Sequence, residues 1–204
     1  MNHKTIFLLT LAIHTTIFNN PIVKIVPFLL TKHVSILTEC CIEHYPELFS
    51  SSPDSPGMKS HQARRDYAFA QAMHIGALCN ELGQIDNKVN GSITTTKVLE
   101  INDIPAGYIK YTSCHPLKSI GKIDQLAILN KHRRQNLGNV LMCHALDDFY
   151  KNDAISFAYV LTTTKTVGEK FYQNKLGFSF LDEQKSLNYP DETLFRWGAR
   201  IRNL

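Results

Sequence analysis

The chain has 204 residues, about 1.4 times the roughly 150-residue prior for one domain, so one globular unit with an appendage fits better than two full domains. Its composition, 44% hydrophobic, 10% aromatic and 20% charged with 10 Gly and 8 Pro, excludes the disordered, collagenous and low-complexity classes. Twenty-two basic against 18 acidic residues leave a net charge of +4, too mild to imply a nucleic-acid partner.

Residues 5–13, TIFLLTLAI, imitate the hydrophobic part of a signal peptide but are far too short to span a bilayer. Only His3 and Lys4 supply a basic start and no small-x-small cleavage site follows. Residues 1–20 therefore read as an N-terminal extension, an extra strand or a weakly signal-like segment, ahead of a single domain over 21–204. The β-branched run IVKIVPFLL predicts a first strand, stopped near Pro27. Val34, Leu37, Cys41 and Tyr45 recur at roughly helical spacing, which predicts a helix over 32–45 closed by Pro46. SSSPDSPG at 50–57 has the marks of an exposed loop. A second amphipathic helix is expected over 59–82, with Phe69, Ala72, Met73, Gly76 and Ala77 as its apolar stripe.

After Asn90-Gly91 the texture changes to short β-rich runs, SITTTKVLEI, PAGYIKYTSC and KIDQLAIL, with a turn at Asn102 and Asp103, which predicts an antiparallel meander. The 132–152 segment switches to helix, with Leu137, Val140, Leu141, Ala145 and Phe149 on one face. ISFAYVLTT reads as a strand, VGEKFYQNKLG as a helix, and FSFLDE and TLFRWGARI as closing strands. The order βααβββαβαββ implies an α/β (α+β) fold, a mixed sheet with helices on its faces.

Cys40, Cys41, Cys79, Cys114 and Cys143 form no C-x-x-C pair, and an odd count with one vicinal pair suits a reducing compartment rather than a disulfide framework. No two of the nine histidines stand at H-x-x-x-H spacing, so no metal ligands are assigned.

Chemistry concentrates in residues 125–140, QLAILNKHRRQNLGNV, a strand passing through a basic loop into a helix. A helix N-terminus offers unpaired N–H groups and partial positive charge, so a junction carrying Arg133 and Arg134 suits a phosphate or pyrophosphate. Gly138 stands where side-chain bulk would obstruct close backbone approach. A basic helix cap with a packing glycine explains the same residues without a ligand.

The passage from Ile128, Leu129, Asn130, Lys131 and His132 into Arg133, Arg134, Gln135, Asn136, Leu137 and Gly138 resembles the signature of the GNAT superfamily of N-acetyltransferases, V-x-P-x-x followed by R/Q-x-x-G-x-G/A. Asn130 replaces the common proline and Asn136 the first glycine; Asn is the side chain that best tolerates left-handed backbone. FYQNKLGF at 171–178 is similar to the family's F-Y-x-x-x-G-F helix ending, with one residue more between Tyr172 and Gly177. Lys165 and Gly168 stand where the family often has Asn and Ala.

The resemblance implies a mostly antiparallel sheet with helices on both faces and acetyl-coenzyme A as co-substrate. Its pyrophosphate would lie on the loop and helix start, Arg133, Arg134, Gln135, Asn136, Leu137, Gly138 and Asn139, with Lys165 nearby, and its pantetheine along Leu126, Ala127 and Ile128. A backbone N–H near Ile128 would stabilise the oxyanion while a deprotonated primary amine attacks. Tyr172 is the implied acid for the departing thiolate. Asp124 is the available base, since strand alternation puts Lys122, Asp124, Leu126 and Ile128 on one face; an aspartate paired with Lys122, with water as base, remains the other reading. Glu43, Glu47, Asp54 and Asp66 could receive a cationic acceptor. Cys143 is read as a structural thiol and His132 as a loop histidine within reach of a phosphate. The resemblance implies a cytoplasmic enzyme with no nucleic-acid or membrane partner, and it leaves room for a homodimer. Two alternatives stand beside it: a non-catalytic acyl-coenzyme A binding module on the same fold, and a glyoxalase/dioxygenase-like metalloenzyme, which F-Y-x-x-x-L-G-F also resembles.

Overall fold

Eight strands, Val23–Pro27 (β1), Gln84–Asn87 (β2), Ser92–Ile101 (β3), Ile104–Cys114 (β4), Ile120–Ile128 (β5), Phe157–Thr162 (β6), Ser179–Lys185 (β7) and Thr193–Arg200 (β8), join in one sheet. They are seen in a computed structural model that describes residues 21–44, 61–87, 91–114, 119–152, 154–186 and 193–202. The order is β1-β3-β4-β5-β6-β8-β7, and β2 continues the edge along β3 where β1 stops. Every pairing is antiparallel except that of β5 with β6. The segments 1–20 and 50–57, and Tyr45, Glu47 and Asp54, lie outside the described residues.

Alternation along the strands divides the core in two. Val98, Tyr108 and Ala127 point to one face, where Phe28 and the helix Leu30–His44 (α1) bury Ile36, Leu37 and Cys40 against them. Ile109, Tyr111 and Ile123 point to the other, where the helix Leu137–Lys151 (α3) buries Leu137, Leu141, Ala145 and Phe149, the face its spacing predicts. The helix His61–Leu78 (α2) packs beside α1 through Ala68 and Ala72. Phe69, Met73 and Ala77, expected on the same stripe, face solvent instead. Small alanines allow close helix approach, and a rotation of one residue position carries the bulkier side chains outward.

The strand β2 was not expected, because QIDN has little β-branched character. It is held by backbone pairing with β3 and by Asn80, whose Oδ1 accepts from the N–H groups of Leu82 (2.9 Å) and Gln84 (3.0 Å). One buried polar knot ties α1 to the sheet. Leu29 N–H donates to His33 Nδ1 (2.9 Å), so Nε2 carries the ring proton and donates to Glu100 Oε1 (2.9 Å), while Lys32 Nζ reaches the same oxygen at 2.6 Å. Burial pushes the His33 imidazole below its ordinary value. Burial pushes the Glu100 carboxyl up, but the bonds from Lys32 and His33 outweigh it and hold the acid low.

Candidate active site

The parallel pairing of β5 with β6 lasts only from Ile120↔Phe157 to Ile123↔Val160. At the same place β5 slips against β4: Lys110 faces Gln125 and Tyr111 faces Ile123, leaving Asp124 as the extra residue of a bulge. A bulge bends its strand and ends regular pairing. Beyond it β5 and β6 part around a cleft of about 260 Å³, with Asp124, Gln125 and Leu126 on one wall, Thr162, Thr163 and Thr164 on the other, and Tyr172 at its margin.

The bulge corrects the face assignment made from alternation. Lys122 pairs with Thr112 and shares the α1 side of the sheet with Asp124 and Gln125, whose Oε1 accepts from Tyr108 Oη at 3.1 Å. Leu126 and Ile128 fall on the α3 side with Ile123. One extra residue has reversed the parity, so Asp124 does not share a face with Leu126 and Ile128. Its carboxylate, 17% exposed, is held by Lys122 Nζ on Oδ1 (2.8 Å) and by a hydrogen bond from Thr112 Oγ1 to Oδ2 (2.5 Å). Leu129 N–H donates to Ala106 O on β4 (3.0 Å), so by alternation the N–H of Ile128 turns to the edge facing the cleft. Ala127 contributes backbone only, its methyl being buried against α1.

Tyr172 sits on a helical segment, α4, built of Lys165–Val167, a π-helical Gly168–Gln173 and Asn174–Leu176. A π turn takes up one residue more than an α turn, which accommodates the additional residue between Tyr172 and Gly177. The segment stops at Gly177, at φ 72°, where Phe178 N–H closes back on Tyr172 O (3.0 Å) and the Phe178 ring packs on the tyrosine at 5.9 Å. The L-G-F ending is thus a glycine C-cap with its hydrophobic clamp. Burial holds the Tyr172 phenol above its ordinary range. The segment's start is fixed by Gly168, against which lies the buried indole of Trp197, whose Nε1–H donates to Thr162 Oγ1 at 3.1 Å.

The junction from β5 to α3 begins with a single 3₁₀ turn, Asn130–His132, whose first N–H is capped by Glu43 Oε2 from the end of α1 (2.8 Å). Glu43 is therefore engaged by the loop. Arg133 Nε donates to Ile128 O (3.2 Å), and Arg134 and Asn136 both take left-handed backbone at φ 62°. Asn136 fills the left-handed position that its replacement of glycine requires; Arg134 in that region had no signal in the sequence. The first turn of α3 has neither a side-chain cap nor an acidic residue, so the positive end of its dipole is presented uncompensated beside exposed Arg133, Arg134 and Gln135. His132 Nε2 and Asn139 Oδ1 are buried here without a hydrogen-bond partner, and burial, with Lys131 nearby, lowers the imidazole's pKa. A Cβ on Gly138 would stand 3.4 Å from Phe171, an ordinary contact, so the protein itself does not require glycine there.

Lys165 lies with Nζ 5.2 Å from the Phe180 ring on β7. Cys143, expected as a buried structural thiol, is instead a free thiol exposed on α3, its pKa raised by partial desolvation, and Asp66 is exposed on α2. Sequence reasoning missed Thr162, Thr163, Thr164, Gln125 and Thr112; only a run of threonines at the carboxyl end of a parallel strand, where such sheets open, could have signalled the first three. Among the described residues no helix is long and apolar enough to cross a membrane, and no group of three His, Cys, Asp or Glu could hold a metal ion.

A family model for the acetyltransferase (GNAT) domain matches residues 77–189. No curated protein matches the chain. Solved structures share the fold. They include PaiA N-acetyltransferase from Thermoplasma acidophilum in complex with coenzyme A, 14% identical over 86% of this chain and 98% of that one, with a TM-score of 0.59. Aminoglycoside 6′-acetyltransferase type Ii is 13% identical over 89% and 99%, with a TM-score of 0.60. A Desulfovibrio desulfuricans protein assigned to the same family is 14% identical over 89% and 100%, also at 0.60.

Proposed function

Because the chain belongs to the GNAT acetyltransferase family, and is an acyltransferase on that account, we propose that it moves an acetyl group from acetyl-coenzyme A to a primary amine by direct attack. The observation that carries this is one cleft with Asp124 on one wall and Tyr172 at its margin, opened by a bulge in the strand that leads on to an uncapped helix N-terminus. The Thermoplasma acidophilum relative holds coenzyme A, which supports the same ligand here. Domain-wise, residues 21–204 act as one unit and 1–20 as an extension.

In this reading the pyrophosphate rests on the amides of Arg134, Gln135, Asn136, Leu137, Gly138 and Asn139, with Arg133 and Arg134 supplying charge and Lys165 held against Phe180 at the opposite end of α4 from Gly177. The buried, unpartnered His132 Nε2 and Asn139 Oδ1 fit a polar ligand arriving at this loop. Pantetheine lies along Leu126, Ala127 and Ile128, taking the place of the strand that β6 withholds. The Ile128 N–H stabilises the oxyanion formed when the amine lone pair attacks the thioester carbon. Asp124 removes the acceptor's ammonium proton. The carbon–sulfur bond then breaks, and Tyr172, kept protonated through neutral pH by its burial, donates to the developing thiolate. The odd count of cysteines, of which Cys40, Cys79 and Cys143 are free thiols, supports a reducing, cytoplasmic setting.

Family membership displaces the metalloenzyme alternative, since FYQNKLGF serves as the end of α4. The Lys122–Asp124 ion pair favours one second reading, an acyl-coenzyme A binding module without turnover. A panel of primary amines with acetyl-coenzyme A, read by thiol release alongside calorimetric binding, separates the two: release with at least one amine supports transfer, and tight binding with no release across the panel overturns it.

A further inference from the structure

The bulge that turns Asp124 to the α1 side of the sheet also places it at the end of a row of hydroxyl groups. Thr94 Oγ1 and Thr112 Oγ1 are 2.8 Å apart across β3 and β4, and Thr112 Oγ1 is 2.5 Å from Asp124 Oδ2 on β5. Thr112 donates to the carboxylate, so Thr94 donates to Thr112. Thr94 and Thr112 are partly exposed, and Thr94 pairs with Ile85 on the short edge strand β2, at the outer end of the row. On the carboxylate's other oxygen, Lys122 Nζ holds Oδ1, so Oδ2 is the oxygen whose partner can exchange a proton without separating an ion pair.

We propose that Thr112 and Thr94 are positioning residues for transfer and carry the acceptor's proton away from Asp124 to solvent. The inference rests on Asp124 acting as the base. An ammonium N–H bond breaks and its proton binds Oδ2, leaving a neutral amine and a carboxylic acid. The two hydroxyls turn, so that the acid donates to Thr112 and Thr112 to Thr94. The proton leaves Oδ2 for Thr112 Oγ1, the Thr112 proton passes to Thr94 Oγ1, and the Thr94 proton goes to water. The carboxylate and the original polarity of the row return, and one proton has moved from amine to solvent with no other reactant.

The test compares Thr112→Val, Thr112→Ser, Thr94→Val and Asp124→Asn in the full chain, with an amine that turns over. Valine keeps the β-branched shape, and circular dichroism confirms that each variant folds. The Thr112→Val variant should lose about tenfold in kcat, less than the roughly hundredfold lower end of a direct proton-transfer contribution because Asp124 itself remains. Its coenzyme A affinity should stay constant. Thr112→Ser should restore kcat, and Thr94→Val should lower it. A Thr112→Val enzyme with the rate of the unsubstituted chain overturns the proposal, as does equal impairment of the valine and serine variants, which would mark packing rather than the hydroxyl. If Asp124→Asn is fully active with an unaltered acidic pH limb, the base assignment is what has failed, and the threonine row falls with it.

Discussion

Replacing Gly168 by alanine should damage this protein far more than a single methyl ordinarily does. The new Cβ would stand 2.0 Å from Trp197 Cε2 and 2.1 Å from Nε1, about 1.4 Å short of ordinary contact. The indole has nowhere to go: it is 1% exposed, edge-on to Phe180 at 5.3 Å, and bonded to Thr162. Overpacking a filled core costs about 1–3 kcal/mol, and stranding the buried indole N–H adds about 1–3 kcal/mol. Against this, exchanging glycine for alanine within a helical segment returns roughly 0.5–1 kcal/mol. The net is about 3 kcal/mol, which for a chain of this size lowers the melting temperature by roughly 6–12 °C. Thermal melts followed by circular dichroism, with urea midpoints as a second probe, measure it directly. In a Trp197→Leu background the same substitution should cost clearly less, a coupling that a double-mutant cycle reads. A Gly168→Ala protein melting within about 2 °C of the parent would refute the packing argument.

At Gly138 the balance reverses: alanine meets only an ordinary contact with Phe171, so Gly138→Ala should leave stability unchanged, while Gly138→Leu should weaken coenzyme A binding at least tenfold in calorimetry. Equal affinity in the leucine variant would remove the loop from the cofactor site. Tyr172→Phe should lower kcat with little change in cofactor affinity, and because burial keeps the phenol above its ordinary range, no alkaline limb attributable to Tyr172 should appear below about pH 10; a fully active variant ends its acid role. Burial holds the imidazoles of His33, His132 and His144 below their ordinary values. The unfolded chain then binds protons first, so stability is complete above about pH 6.5 and declines as pH falls through it. Urea midpoints at pH 7.5 and 5.5 should show that decline, and a smaller one in His33→Gln; identical declines would clear His33.

The fold was largely legible because its strongest signals are local. SITTTKVLEI coincides with β3, and the face of α3 was readable from Leu137, Leu141, Ala145 and Phe149 because a regular helix repeats its period without interruption. What failed were places where period is broken or irrelevant. The strand β2 is made by backbone bonds and one asparagine, which leave no hydrophobic pattern. On α2 the buried residues among those described are the small Ala68 and Ala72, so Phe69 and Met73 marked the wrong face. At Asp124 an extra residue reversed the parity of β5, and a bulge of this kind depends on pairing with β4 that the sequence of β5 alone does not carry. The junction at 130–139 and Tyr172 could be put forward as candidates because their residues are contiguous in the chain; Thr112 and Thr94 could not, because three strands must meet before their hydroxyls and the Asp124 carboxylate form a row.

The union of β5 and β6 has one more consequence. The sheet is two leaves, β1 to β5 and β6 to β8, bound along a spine only four residue pairs long. Such a spine is the line along which the molecule should first open under heat or force, well before either leaf comes apart. Whatever lies between the leaves adds rungs to it, so the coenzyme A proposed for the cleft would also be a fastener. At a hundred times its dissociation constant it would add about 2.7 kcal/mol to the stability of the closed form, and the chain would be hardest to unfold when it is ready to react.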